Sequence, residues 1–423
     1  MQKKKSRITI TISFLTLLGI VLTALFYDST SVLWKSDAVD DILETNRFQT
    51  DMLTFPFDDW RVAIESDDVE MDQRYTSQML TLMTDYLLLE PPESINSTTC
   101  KPSPLTNHTE IDCELYPNAF AGKRETPAKV GHVIQFAFDL DILEILLNEL
   151  YDVVDYFFLL ECTKTHRAHI QKPLMWEIAK SQKRFDHLRD KVIHLIIDDS
   201  DAEGVSGDTF GLESTQEYVR WKKFLHWNSQ NEFFGDYDMI GFGDVDEIPS
   251  RENIHLIKHC KPKGPIDIGI WFPMSDIYKA FLPDFPVPGF PYTLGDPTFF
   301  PLHIAKQFQP FPNRQRGSSG NFLTGGMHMS NYAYMPYQIA RRLSCSECQG
   351  GLFVLSNQNR LQGNETVLQD LVIELQNDWG DRIVPIENVE LFMENVRVLP
   401  WFYDCQRDRY PVWEAKWDKR LSR

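Results

Sequence analysis

The chain has 423 residues, and its 61 Asp and Glu outnumber 42 Lys and Arg for a formal net charge of −19. Beyond Lys3, Lys4, Lys5 and Arg7 there is no basic cluster, which argues against a nucleic-acid partner. The aromatic content is 13%, with 10 Trp, which suits a carbohydrate-facing cleft and a packed core equally well.

From the N-terminus, the basic residues precede an uncharged run from Ile8 to Tyr27, long enough as a helix to cross about 30 Å of hydrocarbon. The run ends in Leu25-Phe26-Tyr27-Asp28, with no small-x-small cleavage site. The expectation is a cytoplasmic tail over 1–7, a transmembrane signal anchor over 8–27 and a lumenal remainder, a single-pass type II arrangement. A cleaved signal would lead to the same secretory compartment. Residues 28–129 read as an acidic stem or lead-in, with one amphipathic helix around Met79 to Leu89. It carries two glycosylation acceptor patterns, Asn96-Ser97-Thr98 and Asn107-His108-Thr109; a third is Asn364-Glu365-Thr366. Of seven cysteines, Cys100 and Cys113 form the natural pair within the stem. Cys345-x-x-Cys348 lacks the second half of a zinc site and reads as a structural disulfide or buried thiols; the odd total leaves one cysteine over.

The pattern changes near Gly131, where a single domain over 130–423 begins. Val133 to Phe138 predicts a strand. Asp139 to Leu150 places apolar residues at 142, 143, 146, 147 and 150, a helical stripe. Val153 to Leu160 is the near-continuous apolar run of a buried parallel strand. A helix opened by Pro173, a strand over Val192 to Ile197 and a helix over Thr215 to Asn231 follow, then a strand over Met239 to Gly243. This β-α-β-α-β-α-β order predicts an α/β fold with a mostly parallel central sheet. Residues 262–312 hold eleven of the 24 prolines and predict little long regular structure. A further helix is expected near Val367 to Gln376.

The last of these strands delivers Asp244-Val245-Asp246. Two carboxylates two residues apart at a strand end can reach one hard cation, Mg²⁺ or Mn²⁺, that leaves positions open for substrate phosphates. In α/β sheets ligands bind beyond the carboxyl ends of the strands, where this motif falls. The competing reading makes Asp246 the N-cap of a helix starting near Pro249, since Arg251 to His259 has helical spacing. Arg220, on the preceding helix, is placed to reach a diphosphate, although a solvated helix face is the ordinary setting for an Arg. Glu247 is expected to orient the metal ligands.

Five ordered blocks stand out: Phe138 to Glu144, Asn148 to Phe157 with Glu161 and Thr165, Tyr218-Val219-Arg220, Asp244-Val245-Asp246-Glu247-Ile248-Pro249-Ser250-Arg251, and Gly325-Gly326-Met327-His328-Met329-Ser330. Together they resemble glycosyltransferase family 17, the family of the bisecting N-acetylglucosaminyltransferases. The resemblance covers roughly residues 131–380. It implies a Golgi membrane enzyme with a GT-A-like nucleotide-sugar transferase domain, UDP-GlcNAc as donor, a divalent cation and an N-glycan mannose of a glycoprotein as acceptor. Asp244 and Asp246 match its Asp-x-Asp, and His328 matches a late His that can supply a further metal ligand. Glu161 matches a family Glu, for which nucleotide or sugar binding is the expected role. Leu146, Met327, Met329 and Asn331 depart from the family pattern. The expected mechanism is an inverting single displacement, in which a carboxylate deprotonates the acceptor; Asp276 and Asp296 are the candidates for that base. The alternatives are a transferase with another donor or acceptor, an inactive lumenal lectin or scaffold, and a metal-dependent phosphohydrolase.

Overall fold

The computed structural model describes residues 47–94, 100–167, 170–198, 201, 211–284, 286–312, 314–345, 348, 350–363, 382–386, 398–414, 416, 418 and 419–422. The chain divides into two compact units, residues 1–54 with 419–423 and residues 55–418. In the first, the helix Arg47–Thr54 packs with the 3₁₀ turn Lys419–Ser422, and Phe48 and Met52, four residues apart on one helical face, are buried.

The second unit is built on an eight-stranded sheet. Its strands are β1 (Val130–Phe136), β2 (Tyr156–Cys162), β3 (Val192–Ile197), β4 (Met239–Asp244), β5 (Glu247–Pro249), β6 (Ile266–Trp271), β7 (Thr293–Pro301) and β8 (Phe322–His328), in the order β3-β2-β1-β4-β7-β6-β8-β5. The first four run parallel, as their apolar runs predict. The other half is mixed: β7 is antiparallel to both β4 and β6, β8 is parallel to β6, and β5 is antiparallel to β8.

The expected fold class is therefore corrected. The sheet is mixed rather than mostly parallel, because the chain leaves β4 through a tight turn into β5 and later fills the open edge of β4 with the returning β7. The Pro-rich segment supplies β6 and β7 despite its composition. Pro297 falls where the β7–β6 register slips, between Gly295 and Thr298, and Pro301 ends its strand, so neither interrupts a regular ladder. As to the expected membrane helix, among the described residues no helix is long and apolar enough to cross a membrane. Residues 8–27, to which that expectation was assigned, lie outside the described residues, as do Asn96, Asn364 and the helix expected near 367–376.

Five helices matter for the site: α1 (Val69–Leu87), α2 (Leu140–Leu150), α3 (Gly211–Asn231), α4 (Arg251–His259) and α5 (Met335–Ser344). α2 is buried along its whole length, and its acids survive burial because each has a partner. Asp141 meets Arg184 and the Tyr332 hydroxyl, Glu144 meets Arg409, and Glu149 accepts the backbone N–H groups of Arg251 and Trp401. On the sheet, Val133, Phe158, Ile240, Phe242 and Phe300 form a core with Trp221 and Phe224 of α3. Phe158 meets Phe224 edge-on with ring centroids 5.0 Å apart.

The segment read as a lead-in is part of this unit from Phe55 onward. α1 packs against α5, and the buried Tyr334 hydroxyl donates to the Tyr86 carbonyl at 2.9 Å. The cysteine pairing differs from the local pair expected. Cys100 joins Cys405 and Cys113 joins Cys260, so both tie the early segment to distant elements. Cys345 joins Cys348, and Cys162 is buried and belongs to no disulfide.

Candidate active site

β4 is apolar and buried between β1 and β7 up to Gly243, where a side chain has no room: a Cβ there would lie 2.7 Å from Pro297 Cβ and 2.8 Å from Glu247 Oε2. The strand then turns through Asp244-Val245-Asp246 into β5. Three hydrogen bonds from backbone N–H groups hold the turn. Val245 N–H donates to the Gln135 carbonyl (3.0 Å), Asp244 N–H to Glu247 Oε2 (2.9 Å) and Met329 N–H to the Asp246 carbonyl (2.7 Å). The helix-cap alternative is settled, because Ser250 caps α4 by accepting from Asn253 N–H at 3.3 Å. On β8, Gly326 has φ +133°, and a Cβ there would lie 2.3 Å from the Ile248 carbonyl oxygen; only glycine lets β8 pair with β5 and bring His328 opposite Glu247.

The two motif carboxylates behave differently. Burial works to raise the Asp244 carboxyl, but Arg314 and Arg220 outweigh it and hold the group below the usual carboxylate range. Arg314 Nη1 lies 2.8 Å from Asp244 Oδ2 and 2.7 Å from Glu247 Oε1. Asp244 Oδ1 is buried and has no hydrogen-bond partner. Burial and the neighbouring Asp244 charge push Asp246 up to about 7. Glu247 is raised well above its ordinary value by burial and by Asp296.

Arg314 is the centre of this charge cluster, and the sequence reading passed over it. It faces Asp244 and Glu247, stands 3.8 Å from Glu217 and also feels Asp296, whose buried carboxyl is pushed up to about 7. Its segment, between the prolines and Gly317, carries no periodicity or motif that would mark it. Arg220 is fully buried rather than on a solvated helix face; it pairs with Glu217, donates to the Gly243 carbonyl at 3.4 Å and lies over the Phe242 ring.

Beside the turn is a cavity of about 180 Å³. Asp244, Asp246, Asp139, Tyr337 and Arg341 are on its wall, with Gln135, His166 and Gln216. Asp139 sits just beyond β1, is raised by burial and is hydrogen-bonded to Tyr337. Its place at a parallel-strand exit is a signal that could have singled it out.

The other predicted residues lie elsewhere. Asp296 belongs to the Arg314 cluster and is not on the cavity wall; its Oδ1 is unpaired. Asp276 accepts from Tyr278 N–H and from Lys279, both at 2.8 Å, and is likewise off the wall. Glu161 is fully buried and committed to Lys172 (2.9 Å), His194 (3.1 Å) and the N–H groups of Met175 and Trp176. His328 stacks on Phe272 with centroids 4.3 Å apart and accepts Ser330 N–H at Nδ1. Burial and Arg341 lower it to about 3, which keeps the imidazole neutral, the form a metal ligand requires.

Among the described residues no three His, Cys, Asp or Glu side chains form a ready-made metal site. The donor set still fits a hard cation completed by ligand oxygens: Asp244 Oδ1 is a buried acceptor without a donor, and Asp246 is raised by burial and by the adjacent Asp244 charge, which a cation would compensate.

Residues 75–268 match the model of glycosyltransferase family 17. This bears out the resemblance read from the blocks between Phe138 and Arg251, and the matched stretch contains Asp139, Gln216, Arg220, Asp244 and Asp246; the block at Gly325 to Ser330 lies beyond it. The chain is also similar to the beta-1,4-mannosyl-glycoprotein 4-beta-N-acetylglucosaminyltransferases of Rattus norvegicus, Homo sapiens and Mus musculus. Each is 26% identical over 140 or 141 residues, 32% of this chain and 24% of the relative. The matched stretch thus spans about a quarter of the length of those relatives.

Proposed function

We propose that the protein is a metal-dependent, inverting glycosyltransferase that moves N-acetylglucosamine from UDP-GlcNAc to a mannose of an N-linked glycan. The observation that carries the reading is the Asp-x-Asp at the exit of β4, with its unpaired buried Asp244 oxygen on a cavity wall. The names of the relatives support the choice of sugar and acceptor. Asp246 and Asp244 would hold the cation; His328 is opposite Glu247 in the β8–β5 pairing and does not join them in a three-ligand group. When bound, that ion supplies positive charge against the diphosphate as it leaves.

The chain's own residues do the rest. Arg314 fixes the Asp244 carboxylate through one oxygen and leaves the other for the ligand. Arg341 contributes positive charge to the cavity wall, where a diphosphate needs it. Asp139 is the carboxyl placed to take the acceptor hydroxyl's proton: it is on the wall, and its raised pKa brings it closer to working pH. Asp276 and Asp296 lack that placement. The three disulfides support an oxidising compartment, in keeping with N-glycan processing in the Golgi lumen.

The test incubates the purified full chain with Mn²⁺ and a panel of UDP-sugars, with and without N-glycan acceptors. Transfer of N-acetylglucosamine that vanishes on chelation and in Asp246→Ala is expected. Glycan binding with no turnover of any donor would sink the transferase reading and favour a lectin.

A further inference from the structure

Gln135, His166 and Gln216 form a closed polar group on the cavity wall. Gln135 Nε2 donates to Gln216 Oε1 at 3.0 Å and lies 3.1 Å from His166 Nε2. His166 Nε2, as the N–H tautomer, donates to the same Gln216 oxygen at 2.7 Å. Both lone pairs of the Gln216 carbonyl are thereby used, and the orientation of its amide is set. The amide nitrogen is what remains. Gln216 is 2% exposed, and its Nε2 has no hydrogen-bond partner. A buried N–H₂ left unmatched opposes folding, so its retention calls for a use outside the fold.

The group's position supplies that use. Gln135 is the register partner of Asp244 across β1 and β4, so the unpaired amide belongs to the same ligand cavity as the unpaired Asp244 oxygen. The amide is neutral and offers a donor, so it suits a neutral acceptor such as a carbonyl oxygen rather than a cation.

We infer that Gln216 is a specificity-determining residue whose Nε2 donates to a carbonyl oxygen of the nucleotide-sugar donor, with Gln135 and His166 as positioning residues; this rests on the donor reading above. The donor has three carbonyls, C2 and C4 of the uracil ring and the acetamido carbonyl of the sugar; the C2 carbonyl is common to cytosine and confers no specificity, so the role is assigned to one of the other two. CDP lacks the C4 carbonyl, because an amine stands in its place. UDP-glucose lacks the acetamido carbonyl.

The experiment measures binding of UDP, CDP, UDP-GlcNAc and UDP-glucose to the full chain in Mn²⁺, for the wild type, Gln216→Glu and Gln216→Leu. Gln216→Glu keeps an oxygen for Gln135 and His166 and removes the donor; Gln216→Leu removes both. Each preference is a ratio taken on one preparation, so a misfolded fraction cancels. One ratio should fall about tenfold in both variants, the size of one lost neutral hydrogen bond. A fall in UDP over CDP assigns the uracil carbonyl, and a fall in UDP-GlcNAc over UDP-glucose assigns the acetamido group. Unchanged ratios in variants that bind nucleotide overturn the Gln216 role and leave the transferase reading standing. A wild type that binds none of the four overturns both.

Discussion

Arg314 grips Asp244: its Nη1 stands 2.8 Å from Asp244 Oδ2 inside a buried acid cluster. Glu247, Asp296 and Glu217 surround the same guanidinium, so one cation offsets the mutual repulsion of several carboxylates. Arg314→Gln leaves Glu247 and Asp296 without that compensation and Asp244 with Arg220 alone. We expect a stability loss of about 3–5 kcal/mol, the usual cost of removing one partner of a buried pair, together with loss of donor binding. Thermal unfolding and nucleotide titration read the two effects; a variant as stable as the wild type would show that the cluster is already neutral.

Asp246 is a carboxylate that the fold disfavours, since burial and Asp244 push it to about 7. Asp246→Asn relieves that repulsion. Stability at neutral pH should stay level or rise, while transfer falls at least about a hundredfold because the cation loses a ligand. Activity and melting temperature measured on one preparation test the opposed signs.

If Asp139 is the base, Asp139→Asn lowers kcat by about 10²–10⁴ with donor KM little changed. The same substitution at Asp276, whose carboxylate is held by Tyr278 N–H and Lys279, should leave kcat nearly untouched. Steady-state kinetics of the pair decides between them.

A histidine cluster away from the site predicts acid sensitivity. His108 Nδ1 and His259 Nδ1 are 2.7 Å apart, and the His255 ring lies 4.3 Å from that of His259. Burial, then His255, His108, Lys258 and Lys123, lower His259 to about 4. The unfolded chain takes a proton near pH 6.5 and the folded chain only near 4, so this contribution to stability is complete above 6.5 and is lost as the pH falls through that window. Other buried groups titrate as well, so the signal is a difference: the fall in melting temperature from about pH 7.5 to about pH 5 should be smaller in His259→Gln than in the wild type.

The Cys113–Cys260 bond spans 147 residues and ties the segment before β1 to the end of α4. Replacing both cysteines with serine should cost about 2–5 kcal/mol, measured by denaturant unfolding under non-reducing conditions.

What the sequence determined by itself is local. The apolar runs of β2 and β4, the stripe of α2 and the helical spacing of α4 each follow from residues a few positions apart, and the Asp-x-Asp is placed by the strand that precedes it. Position and chemistry agreed there, so the motif was legible without coordinates. The tertiary structure decided what depends on distant pairs. β7 runs antiparallel into the sheet because β4 leaves through a turn and keeps an open edge, a fact about where the chain returns. Cys113 bonds Cys260 rather than Cys100 because the fold brings those two Cα atoms within 5.7 Å. Arg314, 70 residues beyond Asp244, has no local pattern; its role exists only once burial makes an unpaired carboxylate costly. Asp139 and Gln216 join the site for the same reason, since strand exits and one helix face converge on a cavity that no single segment encodes.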